Sequence, residues 1–371
     1  MSVLRAKTID LFRYESLTDT QKMNSALNLD EIRQGAATLK SYPRRLVLEL
    51  TNSCNLNCIM CGRSNDRFTP TFFDLKLLDG LKEVLTCAEE VTLFGWGEPT
   101  IHPRFGEILE YLDNYPVKKY FVTNGTTLDK IRPILFDCRV DIMAVSVDGA
   151  KAATNNRIRL NSDLDAIVTG LKAVVEQRAR RNVNYPYVNF VTTLMKSNLH
   201  ELPDMVNLAR EVGIEEVKAV YLTSFGGKLA GEVLLDMAAE VAEVFAETEK
   251  RGKELGVKIK LPYIQGRDVA GDKFHKDCFT GWRDFFIASD GYIRPCQSTP
   301  VKLFHISKYD NFPSAWNSEE LRAFRAAVNS PKKMAEECKR CYQSSHANWN
   351  RRTSFLQLHD EFAPAWEKAK K

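Results

Sequence analysis

Six short β-rich runs alternate with stretches whose apolar residues recur at helical spacing, and this rhythm sets the limits of the fold. The runs lie at residues 45–50, 91–94, 119–122, 142–147, 187–194 and 217–222. Helix-like stretches at 73–85, 105–112, 128–136, 164–176 and 202–212 separate them. One more, at 235–255, follows the last run and is stopped by Gly256. Strands that alternate with helices build a parallel sheet with helices packed on its outer face. The short apolar runs suit strands buried on both sides. Six such units make an incomplete barrel or an open doubly wound sheet, and the pattern alone does not choose between them.

The rhythm ends after Pro262. At roughly 150 residues per domain, a chain of 371 residues has room for a second unit. We assign residues 1–42 to an N-terminal extension, 43–262 to the alternating unit, 263–345 to a smaller α+β domain and 346–371 to a C-terminal tail. The extension has a helical scatter of apolar positions at 27–39, broken by Ser41-Tyr42-Pro43.

Lys plus Arg number 52 and Asp plus Glu 48, a net charge of +4. That balance argues against a nucleic-acid coat or a membrane-binding surface. The apolar runs fall short of the ~18 residues of a membrane span. Residues 1–16 have neither the apolar core nor the cleavage site of a secretion signal. The expectation is a cytoplasmic protein with no nucleic-acid or membrane partner.

The nine cysteines are unevenly placed. Cys54, Cys58 and Cys61 follow the first strand directly, as Cys54-Asn55-Leu56-Asn57-Cys58-Ile59-Met60-Cys61. In parallel α/β folds, the C-terminal edge of the strands is where ligands bind. A structural zinc ion wants a fourth ligand, and no Cys or His follows nearby to provide one. A [4Fe–4S] cluster held by three thiolates keeps one iron open for a chelating ligand. Zinc and a buried group of free thiols are the alternatives.

This loop, placed after the first strand of an alternating unit, resembles the radical S-adenosylmethionine (radical SAM) superfamily over about residues 43–260. The resemblance implies a partial (β/α)6 TIM barrel whose open iron chelates the amino and carboxylate groups of SAM. It implies one-electron cleavage of SAM to a 5′-deoxyadenosyl radical that takes hydrogen from a substrate. The electron donor would be of flavodoxin or ferredoxin type. Gly95-Trp96-Gly97-Glu98-Pro99 resembles the family's Gly-Gly-Glu-Pro segment, with Trp96 in place of the first glycine. There the backbone, Gly97 included, and the Glu98 side chain would receive the SAM amino group. Thr123-Asn124-Gly125 looks like the family's turn after the third strand. Ser146-Val147-Asp148-Gly149 ends the fourth strand, where Ser146 and Asp148 would border SAM. Arg159 lies where relatives place an arginine for the SAM carboxylate, with Arg157 as its rival. Met60 occupies the usual position of an aromatic residue near the adenine.

A second set, Cys278, Cys296, Cys338 and Cys341, supplies four thiolates, enough for one zinc ion or all the irons of one cluster. Behind a radical SAM barrel this set resembles the auxiliary-cluster domains called SPASM and twitch, and Asp290-Gly291-Tyr292-Ile293-Arg294-Pro295-Cys296 resembles their opening strand and turn. Four cysteines match a twitch domain with one cluster, as in enzymes of the 2-deoxy-scyllo-inosamine dehydrogenase kind. The chain is then expected to hold two [4Fe–4S] clusters and SAM, and to oxidise a small polar substrate of sugar or aminocyclitol type, with the auxiliary cluster accepting an electron. The alternatives are modification of a ribosomal peptide, by thioether formation or epimerisation, and redox-neutral epimerisation or dehydration of a sugar or nucleotide. Asp277 and Asp290 flank the late cysteines and are the candidate bases, weighed against ordinary solvated carboxylates. Cys87 and Cys138 read as buried structural thiols, and His102 as a residue near the cavity or a supporting one.

Overall fold

A computed structural model describes residues 16–65, 69–222, 224, 228–262, 264, 278–296, 301–330, 332–336 and 338. Asp277, Cys341 and the tail at 346–371 lie outside the described residues.

Thr18 caps α1 (Asp19–Gln34) through a reciprocal pair of bonds with Gln21, and Gly35 ends it in the left-handed region. The helix begins and ends earlier than the 27–39 stretch expected from sequence. Its buried face is polar rather than apolar, so hydrophobic spacing does not mark it. Asn24 and Asn28 bond to backbone carbonyls across the core, while Glu31 accepts from Lys40 N and from Ser41 N and Oγ.

The alternating unit then runs β1 (Arg45–Leu48), α2 (Lys82–Cys87), β2 (Glu90–Leu93), α3 (Phe105–Asp113), β3 (Lys118–Thr123) and α4 (Leu128–Asp137). It continues with β4 (Ile142–Ser146), α5 (Ala152–Ile158), α6 (Leu164–Arg181), β5 (Tyr187–Leu194), α7 (Leu202–Val212), β6 (Glu216–Tyr221) and α8 (Ala238–Leu255). All six expected strands are present, in order and parallel. A short β7 (Lys258–Lys260) extends the sheet beyond the expected six. Its three residues are all lysine or isoleucine and carry no apolar run to detect.

The smaller unit contributes α9 (Thr280–Arg283), β8 (Asp284–Ile287), β9 (Tyr292–Arg294), β10 (Phe304–His305), α10 (Phe312–Trp316) and α11 (Glu319–Ala327). Its first strand does not begin a separate sheet. β8 pairs in parallel with β1, giving the order β10-β9-β8-β1-β2-β3-β4-β5-β6-β7. The auxiliary unit therefore extends the barrel sheet at its first strand.

Buried charges join the two units at the N-terminal ends of the strands. Arg44 Nε lies 2.7 Å from Glu89, Arg45 pairs with Asp284 and Glu90, and Arg283 also reaches Asp284, at 2.8 Å. Burial alone would raise the Asp284 carboxyl, but Arg283 and Arg45 overcome it and hold it at about 2. Arg325 of α11 donates to the carbonyls of Gly281, Ala37 and Trp316 at 2.7–2.9 Å, and its guanidinium lies over the Trp316 ring. Trp282 and Trp316 donate their indole N–H groups to Ala36 O and Ser41 O. The chain leading into β1 is thus held from the auxiliary side.

Candidate functional site

β1 delivers the cysteine loop to the C-terminal edge of the sheet. Beyond it, Thr51 bridges to Phe72 and Phe73 N donates to Leu50 O, so the strand end is braced before Cys54. The loop is held from the other side as well. Asn57 N donates to Leu160 O and Ile59 N to Ile158 O, which joins it to the end of α5.

Two of the three thiols, Cys54 and Cys58, meet polar donors. Leu56 N and Asn124 Nδ2 point at Cys54 Sγ, at 3.4 and 3.8 Å, and Arg159 Nη1 points at Cys58 Sγ at 3.9 Å. Burial pushes Cys58 up to about 11 and raises Cys54 as well. The protein alone therefore keeps Cys54 and Cys58 as thiols, and a bound cationic centre is what would deprotonate them. Among the described residues, no three Cys, His, Asp or Glu side chains converge on a single metal ion. Cys54, Cys58 and Cys61 would be the thiolates that hold a cluster here. The thiol ligands and the N–H groups aimed at sulfur fit an iron–sulfur cluster.

The Gly95–Gly97 turn is pressed against this loop. A Cβ on Gly97 would meet Ser53 O at 2.2 Å and Thr51 O at 2.4 Å, and one on Gly95 would meet the Glu49 side chain. Glu98 N donates to Ser53 O. Only glycine permits this contact of backbone on backbone, and it leaves a backbone-lined cradle beside Cys54.

Glu98 is buried within the protein rather than standing free. Its Oε1 accepts from Thr100 N, Thr100 Oγ1 and Thr123 Oγ1, and its Oε2 accepts from Asn124 N at 2.6 Å. Burial raises its pKa in spite of those bonds. The carboxylate joins the ends of β2 and β3 and keeps room for one further donor on Oε2. Asn124, read from sequence as part of a turn, joins Glu98 to Cys54 and Asn55. The Asn-Gly pair that marks a turn also conceals a side chain aimed at sulfur.

Arg159 and Arg157 separate clearly. Arg157 is exposed, whereas Arg159 is 7% exposed and its Nε lies 2.7 Å from Asp148 Oδ2. Asp148 is fully buried, and its Oδ1 accepts from Thr193 N. Asp148 thus orients Arg159 from below. Ser146 ends β4. Met60 packs on Ile158, Met195 and Leu222, an apolar patch at the ends of β5 and β6.

His102 does not open onto the site. Its Nε2 donates to Phe73 O, its Nδ1 accepts from Arg104 N, and burial lowers its pKa. It is a neutral supporting residue. Cys138 is buried and Cys87 half-buried.

Cys278 is buried beside Thr280, with its N–H donated to Asn329. Cys296 packs with Phe94 on the patch of Val47, Phe286 and Ala288. Phe94 immediately precedes the Gly95–Gly97 turn, so an auxiliary thiol and the first site share one apolar patch. Cys338 packs against the main core, and Cys341 lies outside the described residues. Asp290 accepts from Tyr292 N and pairs with Lys302 at 2.5 Å. Burial would raise its pKa, but these partners bring it below the usual carboxylate value. That makes Asp290 a weaker base than the sequence reading asks for. Asp277, the other candidate, lies outside the described residues.

Residues 48–209 match the model of the Radical SAM superfamily, and residues 278–342 match that of the SPASM iron–sulfur cluster-binding domain. The chain is 26% identical to an AdoMet-dependent heme synthase of Methanosarcina barkeri over 325 residues, covering 82% of this chain and 89% of the relative. It is 24% identical to a PqqA peptide cyclase of Bradyrhizobium diazoefficiens over 84% of this chain and 82% of the relative. Among solved structures, SuiB of Streptococcus suis bound to S-adenosylmethionine superposes with a TM-score of 0.63 at 15% identity, covering 88% of this chain and 80% of SuiB. That likeness establishes the fold.

Proposed function

From a chain that carries a radical SAM domain followed by a SPASM domain, with SAM and [4Fe–4S] clusters as the cofactors the two domains imply, we infer a hydrogen-abstracting enzyme that oxidises its substrate. The observation that supports oxidation most directly is the placement of Cys296 on the patch shared with Phe94. Substrate held in that region would stand between the SAM side and the auxiliary side.

When bound, the first cluster and SAM supply a 5′-deoxyadenosyl radical. The chain's own residues then have separate tasks. Cys54, Cys58 and Cys61 hold the cluster, and Asn124 and Arg159 donate toward its sulfur ligands. Gly97 and the backbone around it, with Oε2 of Glu98, receive the ammonium of the methionine moiety. Arg159, aimed by Asp148, receives its carboxylate. Ser146 borders the ligand at the end of β4, and Met60 with its apolar neighbours offers a surface for the adenine. Cys278, Cys296, Cys338 and Cys341 complete a four-thiolate set, which leaves no iron open and favours electron acceptance.

The names of the two relatives described above do not include the sugar or aminocyclitol substrate expected from sequence. Their names include a heme synthase and a peptide cyclase. The second reading, modification of a peptide, is favoured by the peptide cyclase match over 84% of this chain. No helix among the described residues is long and apolar enough to cross a membrane, and we keep a cytoplasmic location with a flavodoxin- or ferredoxin-type donor as part of the proposal.

Cys338→Ala tests the oxidation. The variant should still cleave SAM, because the first cluster is intact, and should form little oxidised product. The wild-type product should be lighter than its substrate by two hydrogens. Unchanged product mass, or full product formation by Cys338→Ala, would replace oxidation with a redox-neutral reaction.

A further inference from the structure

Glu49 is the residue after β1 and is 1% exposed. Its two carboxylate oxygens face different units of the protein. Oε1 accepts the Trp96 N–H at 2.8 Å, inside the Gly95–Gly97 turn. Oε2 accepts the Ser289 N–H at 3.1 Å and the Ser289 Oγ–H at 3.0 Å, at the end of β8. Ser289 Oγ in turn accepts from Thr71 Oγ1 at 2.7 Å, on the segment that braces the start of the cysteine loop. Glu49 N also donates to Ile287 O.

The local sequence is shaped around this carboxylate. A Cβ on Gly95 would lie 2.2 Å from Glu49 Cγ and 2.5 Å from Oε1, so Gly95 makes room for Glu49 itself. Ser289 opens the turn that leads through β9 to Cys296. A buried carboxylate with three donors from two units holds both at a fixed separation, because moving either turn leaves a charged acceptor short of a donor.

We propose that Glu49 is a positioning residue that registers the SAM-side turn against the auxiliary domain. Through it, the seating of the Ser289 turn fixes the backbone at Trp96, and so the cradle beside Cys54. SAM affinity then depends on a serine of the auxiliary unit whose hydrogen-bond partners, among the described residues, are Glu49 and Thr71. The naming of SAM rests on the function proposed above. The connection between the two turns does not.

Ser289→Ala and Glu49→Gln, each in the cluster-loaded full chain, test this with two readouts. One is the equilibrium Kd for SAM. The other is amide hydrogen exchange of the peptide covering residues 94–98. Loss of the single Ser289 hydroxyl bond should weaken SAM binding about fivefold and speed exchange in that peptide. Glu49→Gln, which puts an NH2 group where one acceptor stood, should weaken it about tenfold or more. A role confined to packing would lower Tm and leave both readouts of Ser289→Ala at their wild-type values. Either readout at its wild-type value in Ser289→Ala overturns the proposal. If Glu49→Gln does not fold, Ser289→Ala decides alone. If the wild-type chain itself does not bind SAM, the functional reading fails, and the exchange measurement judges the clamp by itself.

Discussion

Arg159 and Asp148 form a buried ion pair, Nε to Oδ2 at 2.7 Å, that aims the far end of the guanidinium at Cys58. One arginine is thus held by a buried carboxylate while it faces Cys58, a proposed cluster ligand.

Removing either member of that pair should affect both SAM binding and folding. Arg159→Ala should weaken SAM binding by about 1.5–3 kcal/mol, the size of a lost charge-assisted hydrogen bond. Arg157→Ala, on an exposed side chain, should leave the affinity unchanged. Asp148→Asn should both weaken SAM binding and destabilise the chain by about 3 kcal/mol, because it leaves a buried guanidinium without its counter-ion. Titration with SAM and urea unfolding measure the two effects.

The strand rhythm is legible in sequence because each of the six strands has an apolar face toward the helices and is bounded by polar turns. Phe121, Met143, Phe190 and Val217 make that pattern. β7 escapes it because Lys258 and Lys260 face tyrosine and glutamate partners rather than an apolar layer. The joining of β8 to β1 also escapes it. That contact depends on Arg45 meeting Asp284 across 239 residues, which no local pattern carries. Within the site, the cysteine spacing and the glycines of the Gly95–Gly97 turn are read directly, because their chemistry is fixed by short range. The tasks of Asn124, Asp148 and Glu49 are set by partners far along the chain and appear only in three dimensions.

The charge network at the base of β1, β2 and β8 makes stability depend on pH. The folded Asp284 carboxyl, at about 2, lies below its unfolded value of 3.8. Its contribution is therefore fully present above about pH 4 and is lost as pH falls through about 2. Asp284→Asn should cost several kcal/mol at neutral pH, and its difference from wild type should shrink between about pH 4 and pH 2. Urea unfolding of the cluster-free chains across that range measures it. A difference that stays constant would remove Asp284 from the network's energetics.

Arg325 should be indispensable for the seam between α1, β1 and the auxiliary unit. Its guanidinium satisfies three carbonyls at once. Arg325→Met should destabilise the chain by about 3 kcal/mol or more, since each buried carbonyl left without a donor costs about 1–3 kcal/mol. Arg325→Lys should recover little, because an ammonium does not reproduce the planar fork. Denaturant midpoints at equal m-value provide the comparison.

Anaerobic reconstitution should load about eight irons per chain, two four-iron clusters. The triple variant of Cys54, Cys58 and Cys61 to Ala should retain about four. Iron and zinc analysis on the same samples distinguishes the clusters from a zinc site, and stoichiometric zinc without iron would contradict the assignment.

The most direct test of the central claim is release of 5′-deoxyadenosine from SAM by the iron-loaded chain under a strong reductant. The wild-type chain should release it, and Cys58→Ala should release none. No release by a wild-type chain loaded with both clusters, or equal release by Cys58→Ala, would contradict that claim.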